Sequence, residues 1–535
     1  MRLRRAEWVT ALLITLFALA LQAMRLVHAG PLWRDEAAAF HLATSPTLGE
    51  VVARHESFPP PFFFIVRAWA AALGGSDGSL RIFGTLVGLA LLALLWWSIR
   101  RTGGTVPLVA LALVAVNASV LLYGDSVRGY GLGTVAILAA FAAFARLAAR
   151  PDRRAVVEAL AAAVLSVQML FINAVLLLAL GLAAIGVGVV RRRPRVVLAV
   201  LGVGAAAALS LLPWTGPVMA TRSWSMLLHV PVGPGEIFGE MARTASAPVE
   251  TLQWVWLVLI ALALLPGRSP ATETDENGKE QIRADARLFS LFAFPVAILA
   301  QWGFLEILRY TPRAWYFLPL LALTAAALDV RLSASPLLRT LRLAIAGLAV
   351  LTAALPVLDL ARVRMTNMDL VAQRITAEAT PADLVVVNPW YCGVSYLRYR
   401  SGATPWVTVP ELADHRIHRF DQVKARMTQA DALADVLGAV ERTLRSGHRV
   451  WVVGDFTVPP AGEPAPVLPP APVEPFGWRE APYSYAWSLQ LGAFLRDHAQ
   501  LGGEAPVPRK GPVNGFERLR LLAFSGWRAS SESAR

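Results

Sequence analysis

Apolar residues run in long blocks over the first two thirds of the chain and in short runs after it. About eleven blocks reach the length at which a helix crosses a bilayer, roughly 18 residues. They cover about Trp8–Val27, Leu80–Ile99, Val106–Leu122, a fourth block ending at Arg150, and a fifth and sixth around Asn173. A seventh ends at Pro213-Trp214, and the rest lie at about Glu250–Leu265, Leu288–Leu305, a block ending near Arg331, and Leu341–Leu358. Asn173 reads as a turn residue between two spans. The first block is long and is followed by many others, so it reads as a retained helix rather than a removed signal peptide. The pattern predicts a polytopic α-helical membrane protein.

The polar breaks assign sides. Arg100-Arg101, Arg150–Arg154 and Arg191–Arg195 fall in alternate loops. By the positive-inside rule these loops and the N-terminus are cytoplasmic. The loop over residues 28–79 is then outer and too long for a simple turn. Within it, Pro61–Trp69 is apolar but short and contains Arg67, which suits a helix lying at the interface. The hydrophilic stretch Gly267–Arg287 falls on the cytoplasmic side by parity and reads as flexible.

From about Arg362 the pattern changes to that of a soluble domain. Asp383–Asn388 and Arg449–Gly454 read as buried strands, Ala430–Leu444 and Tyr485–His498 as helices, and Phe516–Phe524 as a last strand. Pro459–Pro475 reads as an extended loop. The expected organisation is a membrane module over residues 1–360, an extracytoplasmic α/β domain over 361–529 and a disordered tail over 530–535. The setting is a cell (inner or plasma) membrane.

Composition narrows the function. Hydrophobic residues make up 56% and charged ones 16%, below the roughly 25% charged of soluble domains. The net charge of +13 sits in loops between spans and accompanies no recognition motif, so nucleic acid is not an expected partner. The single cysteine, Cys392, excludes an internal disulfide and reads as a buried thiol. Trp390 and Trp451 read as core.

Four sets of residues carry candidate chemistry. Asp35 and Glu36 lie together just after the first span. A carboxylate at a water–lipid boundary can take a proton from an attacking hydroxyl; the plainer reading is solvated loop acids, with Glu36 at the start of a helix. Arg128, in Ser126-Val127-Arg128-Gly129-Tyr130, can hold a phosphate through paired donors, or can snorkel to headgroups or pair with Asp125. Arg309 and Arg313 with Tyr316 form a second outer cationic and aromatic set, or ordinary interface anchors. His55 and Glu56 precede Phe58-Pro59-Pro60-Pro61 and could orient an acceptor, or be solvated groups ahead of a helix. No cofactor is required; a divalent metal, if one were used, would fall at Asp35 and Glu36.

Four local patterns, in this order, resemble the GT-C glycosyltransferases. The similarity is to the family 39-like branch, which contains protein O-mannosyltransferases and the aminoarabinose transferases that modify lipid A. The patterns are Trp33–Ala37; Pro59–Phe64 followed by Gly74-Gly75-Ser76 and Leu80-Arg81; Ser126–Leu132; and Arg313–Pro319. The resemblance spans about Ala6–Leu328. It implies a GT-C fold and inverting transfer of a hexose or pentose from a polyprenyl-phosphate donor on the outer face. The acceptor would be a glycan, lipid or protein. It also implies that Asp35 acts as base and that Arg128, with Arg313 or Arg309, holds the lipid phosphate. Tyr130 and Tyr316 stand where substrate contacts would fall. The chain departs from the pattern at Phe58, where the branch has His or Lys; His55 is the nearest substitute. Two other classes stay open from the residues: a transporter or flippase of lipid-linked sugars, which would need ionisable groups deep in the spans, and a non-catalytic assembly protein with an outer binding domain.

Overall fold

The computed structural model describes residues 2–54, 58–103, 105–225, 232–265, 279–309, 311–472 and 479–528. They form two compact units. One holds residues 1–28, 57–217 and 231–362; the other holds 29–56, 218–230 and 363–535.

The first unit is helical. Among the described residues, eight helices are long and apolar enough to cross a membrane: Arg2–His28, Asp77–Gly103, Gly129–Ala149, Asn173–Val190, Pro194–Ala220, Glu280–Leu308, Ala314–Leu332 and Pro336–Ala361. A ninth is formed if Pro234–Ser246 and Thr251–Leu264, bent by 102°, are one span. Burial separates centre from periphery. The apolar stretch of Ala314–Leu332 is 89% buried and that of Gly129–Ala149 72%, against 22% for Pro194–Ala220 and for Pro336–Ala361. The chain is a multi-pass membrane protein.

All eleven apolar blocks are helical, but three of the expected spans are not single long helices, the eighth being the 14-residue helix Thr251–Leu264. Val106–Leu122 is broken into Leu108–Ala115 and Ala118–Tyr123. The break is set by Asn117, whose Oδ1 accepts the Val120 N–H at 3.0 Å while its Nδ2 donates to the Thr244 carbonyl at 2.7 Å. A side chain that caps a new helix and ties it to a neighbour removes the reason to continue the old one. The fifth block is the 17-residue helix Arg153–Met169. Asn173 is more than a turn residue: it is fully buried and donates to the carbonyls of Gly133 at 2.8 Å and Ser166 at 3.3 Å, linking three helices. The helix of the ninth block begins at Lys279, so residues 279–287 of the stretch read as a flexible loop are helical. Residues 266–278 lie outside the described residues. The short apolar helix Pro60–Leu73 corresponds to the interfacial segment.

The second unit is built on five strands: β1 (Leu384–Asn388), β2 (Trp406–Thr408), β3 (Val450–Gly454), β4 (Ala499–Glu504) and β5 (Leu521–Trp527), in the order β2-β1-β3-β5-β4. The first three pair in parallel, and β5 runs antiparallel to both β3 and β4. Parallel strands are covered on both faces, and alternate residues feed two cores. Val386, Val450 and Val452 meet Val436, Val440, Leu491 and Leu495 of the helices Ala434–Arg445 and Glu480–His498. Val385, Val387, Trp451 and Val453 meet Met368, Val371 and Ile375 of Met368–Glu378. Cys392, Trp390 and Trp451 are buried, as expected. The last strand begins five residues later than its pattern suggests, because Gly515–Glu517 forms a 3-10 turn. The tail from Ser530 lies outside the described residues.

Residues 29–56 pack with this sheet unit, although the sequence grouped them with the membrane module. The physical reason is local. The helix Arg34–Ala43 lays Ala37 and Ala38 on Val394. Met365 N–H donates to the Ala29 carbonyl at 2.8 Å, and Leu32 N–H to the Tyr399 hydroxyl at 2.6 Å.

Candidate functional site

In the sheet unit, the acidic pair opens the helix Arg34–Ala43, and the helix gives the two acids different work. Glu36 is fully buried and its Oε2 accepts the Trp33 N–H at 3.3 Å. This is the carboxylate half of a capping box, which satisfies a backbone donor the helix cannot. Asp35 points elsewhere. Its side chain is 18% exposed, with Oδ1 at 3.7 Å from Arg34 Nε and 3.8 Å from His418 Nε2.

Arg34 is held from several sides. Its guanidinium lies 4.5 Å from the Tyr391 ring centre, and its Nη1 donates to the Phe516 carbonyl at 2.5 Å. Its backbone N–H donates to Glu517 Oε2 at 2.7 Å. Glu517 is buried and also accepts from Thr366 Oγ1 at 3.1 Å and from Ser395 Oγ. Burial pushes the Glu517 carboxyl above the usual range, opposed by the positive Arg34. Burial likewise pushes the Cys392 thiol up, so it is inert as a nucleophile near neutral pH. The sequence reading named neither His418 nor Glu517. Neither residue stands in a motif, and each meets the Arg34–Asp35 turn only through the fold. The one available signal was His418 itself, since the chain has only eight histidines.

In the membrane unit, Arg128 stands at the N-cap of Gly129–Ala149 and is buried. Its guanidinium lies 4.5 Å from the centre of the Phe58 ring. Phe58 is buried, packs edge-on against Tyr130 at 5.1 Å, and contacts Phe62 and Phe63. Thus the position that departs from the family pattern carries a ring under an arginine instead of a second cation. Such contacts contribute about 0.5–2 kcal/mol, more when desolvated. The glycines of Arg-Gly-Tyr-Gly allow this closeness. A Cβ on Gly129 would lie 2.6 Å from the Phe58 ring and 2.9 Å from the Met169 carbonyl; one on Gly131 would lie 2.1 Å from the Gly124 carbonyl.

Tyr130 continues the aromatic set to Tyr316 at 6.1 Å and Trp315 at 6.5 Å. Arg313 caps the 3-10 turn Ala314–Phe317 that presents these two rings. Arg313 and Arg309 are both exposed, and neither side chain makes an ion pair among the described residues. Asp125 pairs with the fully buried Arg25, Nε to Oδ2 at 3.8 Å. The same unit holds an open apolar groove of about 640 Å³ between Pro61, the helix Arg153–Met169 and Trp214. One wall ends at Met169, whose carbonyl faces Gly129, and the other at Pro61, three residues from Phe58.

The structure thus brings Arg128, Tyr130 and Tyr316 together around Phe58, and Asp35 together with His418 and Arg34. His55 and Glu56 lie outside the described residues. Among the described residues no cluster of three or more His, Cys, Asp or Glu side chains is arranged to hold a metal ion.

No family model matches this sequence, and no curated protein matches it. Solved structures do. The chain is similar to the ArnT of Cupriavidus metallidurans bound to undecaprenyl phosphate, with a TM-score of 0.51 at 12% identity over 96% of this chain and 98% of that one. It is also similar to the apo form of the same enzyme, with a TM-score of 0.53 at 14% identity over 83% of this chain and 92% of that one. The chain therefore has the fold of these ArnT structures.

Proposed function

We propose that the protein is a membrane glycosyltransferase. It moves a sugar from a polyprenyl-phosphate donor to an acceptor hydroxyl on the extracytoplasmic face, with inversion. The observation that carries this reading is Arg128, buried against the Phe58 ring, in the same unit as an open apolar groove lined by Pro61 and Met169. A buried guanidinium and an apolar groove in one unit suit a ligand with a phosphate head and a hydrocarbon tail. The similar ArnT structure holds undecaprenyl phosphate, which supports the same donor class here.

Asp35 takes the proton from the acceptor hydroxyl, whose oxygen attacks the anomeric carbon. Glu36 is occupied in capping its helix, so the base role falls to Asp35 alone. Arg128 stabilises the departing lipid phosphate, assisted by Arg313 or Arg309. A phosphodiester leaves without an acid, and no metal is required. Tyr130 and Tyr316 offer ring faces and hydroxyls to the sugar. The acceptor is a glycan, lipid or protein hydroxyl.

The test is transfer from polyprenyl-phosphate sugars by the purified full chain in detergent or reconstituted membranes. Asp35→Asn should lower turnover by about 100-fold or more, with unchanged folding. Near-normal turnover of that variant removes Asp35 as the base.

A further inference from the structure

We propose that His418 is the proton partner of Asp35, accepting from its carboxyl the proton that the acceptor hydroxyl surrenders. This rests on the reading of Asp35 as the base. The two groups come from distant parts of one unit, and Asp35 Oδ1 and His418 Nε2 stand 3.8 Å apart. A small ring rotation or one bridging water spans that gap.

The imidazole is oriented rather than loose. It is 8% exposed, lies nearly parallel to Phe420 (6.2 Å, 29°) and meets Trp390 edge-on (6.2 Å, 80°). Trp390 is fixed in turn by its Nε1 hydrogen bond to Glu480 at 2.9 Å. On the other side of Asp35 stands Arg34, a permanent cation that cannot exchange a proton. Of these two neighbours, His418 is the one whose ring nitrogen can take up and release a proton. Among the described residues, two further charged groups near the pair are engaged. Glu517 holds the Arg34 backbone, and Arg419, next to His418, is bound by Asp414 at 3.1 Å and Asp421 at 2.6 Å.

The proton balance is simple. The acceptor oxygen forms its bond to the anomeric carbon as the bond to phosphate breaks, and the electron pair leaves on the phosphate. The hydroxyl proton goes to Asp35. It then moves to His418 Nε2, and the imidazolium releases it to water, returning Asp35 to its carboxylate. His418 acts through Asp35 and is a positioning residue.

The experiment follows release of polyprenyl phosphate from a panel of polyprenyl-phosphate sugars by the purified full chain, with kcat and KM measured against pH. His418→Gln should lower kcat by about 100-fold and leave the KM for donor within about twofold. Solvent deuterium should slow the wild-type single-turnover rate by about twofold, a readout that needs no variant. A His418→Gln enzyme that keeps its kcat overturns the proposal, as does a solvent isotope effect of one. An active Asp35→Asn enzyme, or a wild type that turns over no member of the panel, instead overturns the reading on which the proposal rests.

Discussion

Apart from Arg25, which pairs with Asp125, the arginines at the two ends of the membrane unit are used in opposite ways. At the Arg-rich end, the charges close on carboxylates. Glu7 binds Arg339 and Arg342, and Arg342 also binds Asp329 at 2.7 Å. Glu158 collects Arg101, Arg146 and Arg154. Asp285, fully buried, joins Arg191 and Arg193. At the other end Arg128 lies on the Phe58 ring, and Arg313 and Arg309 reach outward without an ion pair among the described residues. Matched charges hold helices together, because a buried ion stripped of its partner is very costly. A guanidinium can also meet an anion through its paired donors. The contrast separates arginines that build the fold from those that can meet a phosphate, although all belong to similar short motifs.

The largest expected effect breaks the closed end. Arg342→Leu leaves Glu7 and Asp329 short of their shared cation, at a cost of about 3–5 kcal/mol. The protein should melt much lower or fail to accumulate in the membrane; normal melting would show that these pairs are not what holds the Arg2–His28 and Pro336–Ala361 helices. Next comes Arg128→Ala, which should keep its melting temperature and lose about 100-fold in turnover, equivalent to nearly 3 kcal/mol. If melting rather than turnover collapses, Arg128 belongs with the structural arginines and the contrast fails. The smallest change is Phe58→Leu, which removes the ring face and keeps apolar volume. It should weaken donor use by a few-fold, in line with about 0.5–2 kcal/mol for a cation–π contact, and Phe58→Tyr should restore it. Donor kinetics with unchanged folding is the measurement that sharpens the role of the ring.

The legible parts of the fold were those decided by local pattern. Eleven apolar blocks became helices because block length and backbone hydrogen bonding leave a membrane chain little choice. β1 and β3 were visible as runs of Val and Trp. β2, three residues long, and β4, which contains Gly502 and Gly503, were not; each is a strand only because a neighbour pairs with it. The predicted break between spans at Asn173 missed its cross-helix bonds, since both acceptors are backbone carbonyls that carry no sequence signature.

The candidate site divides the same way. Sequence singled out Asp35, Glu36, Arg128, Tyr130, Arg313 and Tyr316 by motif and by their level at span ends. The residues alone left Asp35 and Glu36 unranked, and only the family resemblance pointed to Asp35 as the base; adjacent helix residues face different ways. That difference depends on which one reaches the Trp33 N–H and which one meets His418.

By itself the sequence determined that this is a many-spanned membrane protein carrying a soluble α/β unit, because hydropathy over one helix length is a local quantity. Only the tertiary structure decided that residues 29–56 pack with that α/β unit, that Phe58 lies under Arg128, and that His418 stands beside Asp35. Those are contacts between residues far apart along the chain, and no local pattern encodes where two such residues will meet.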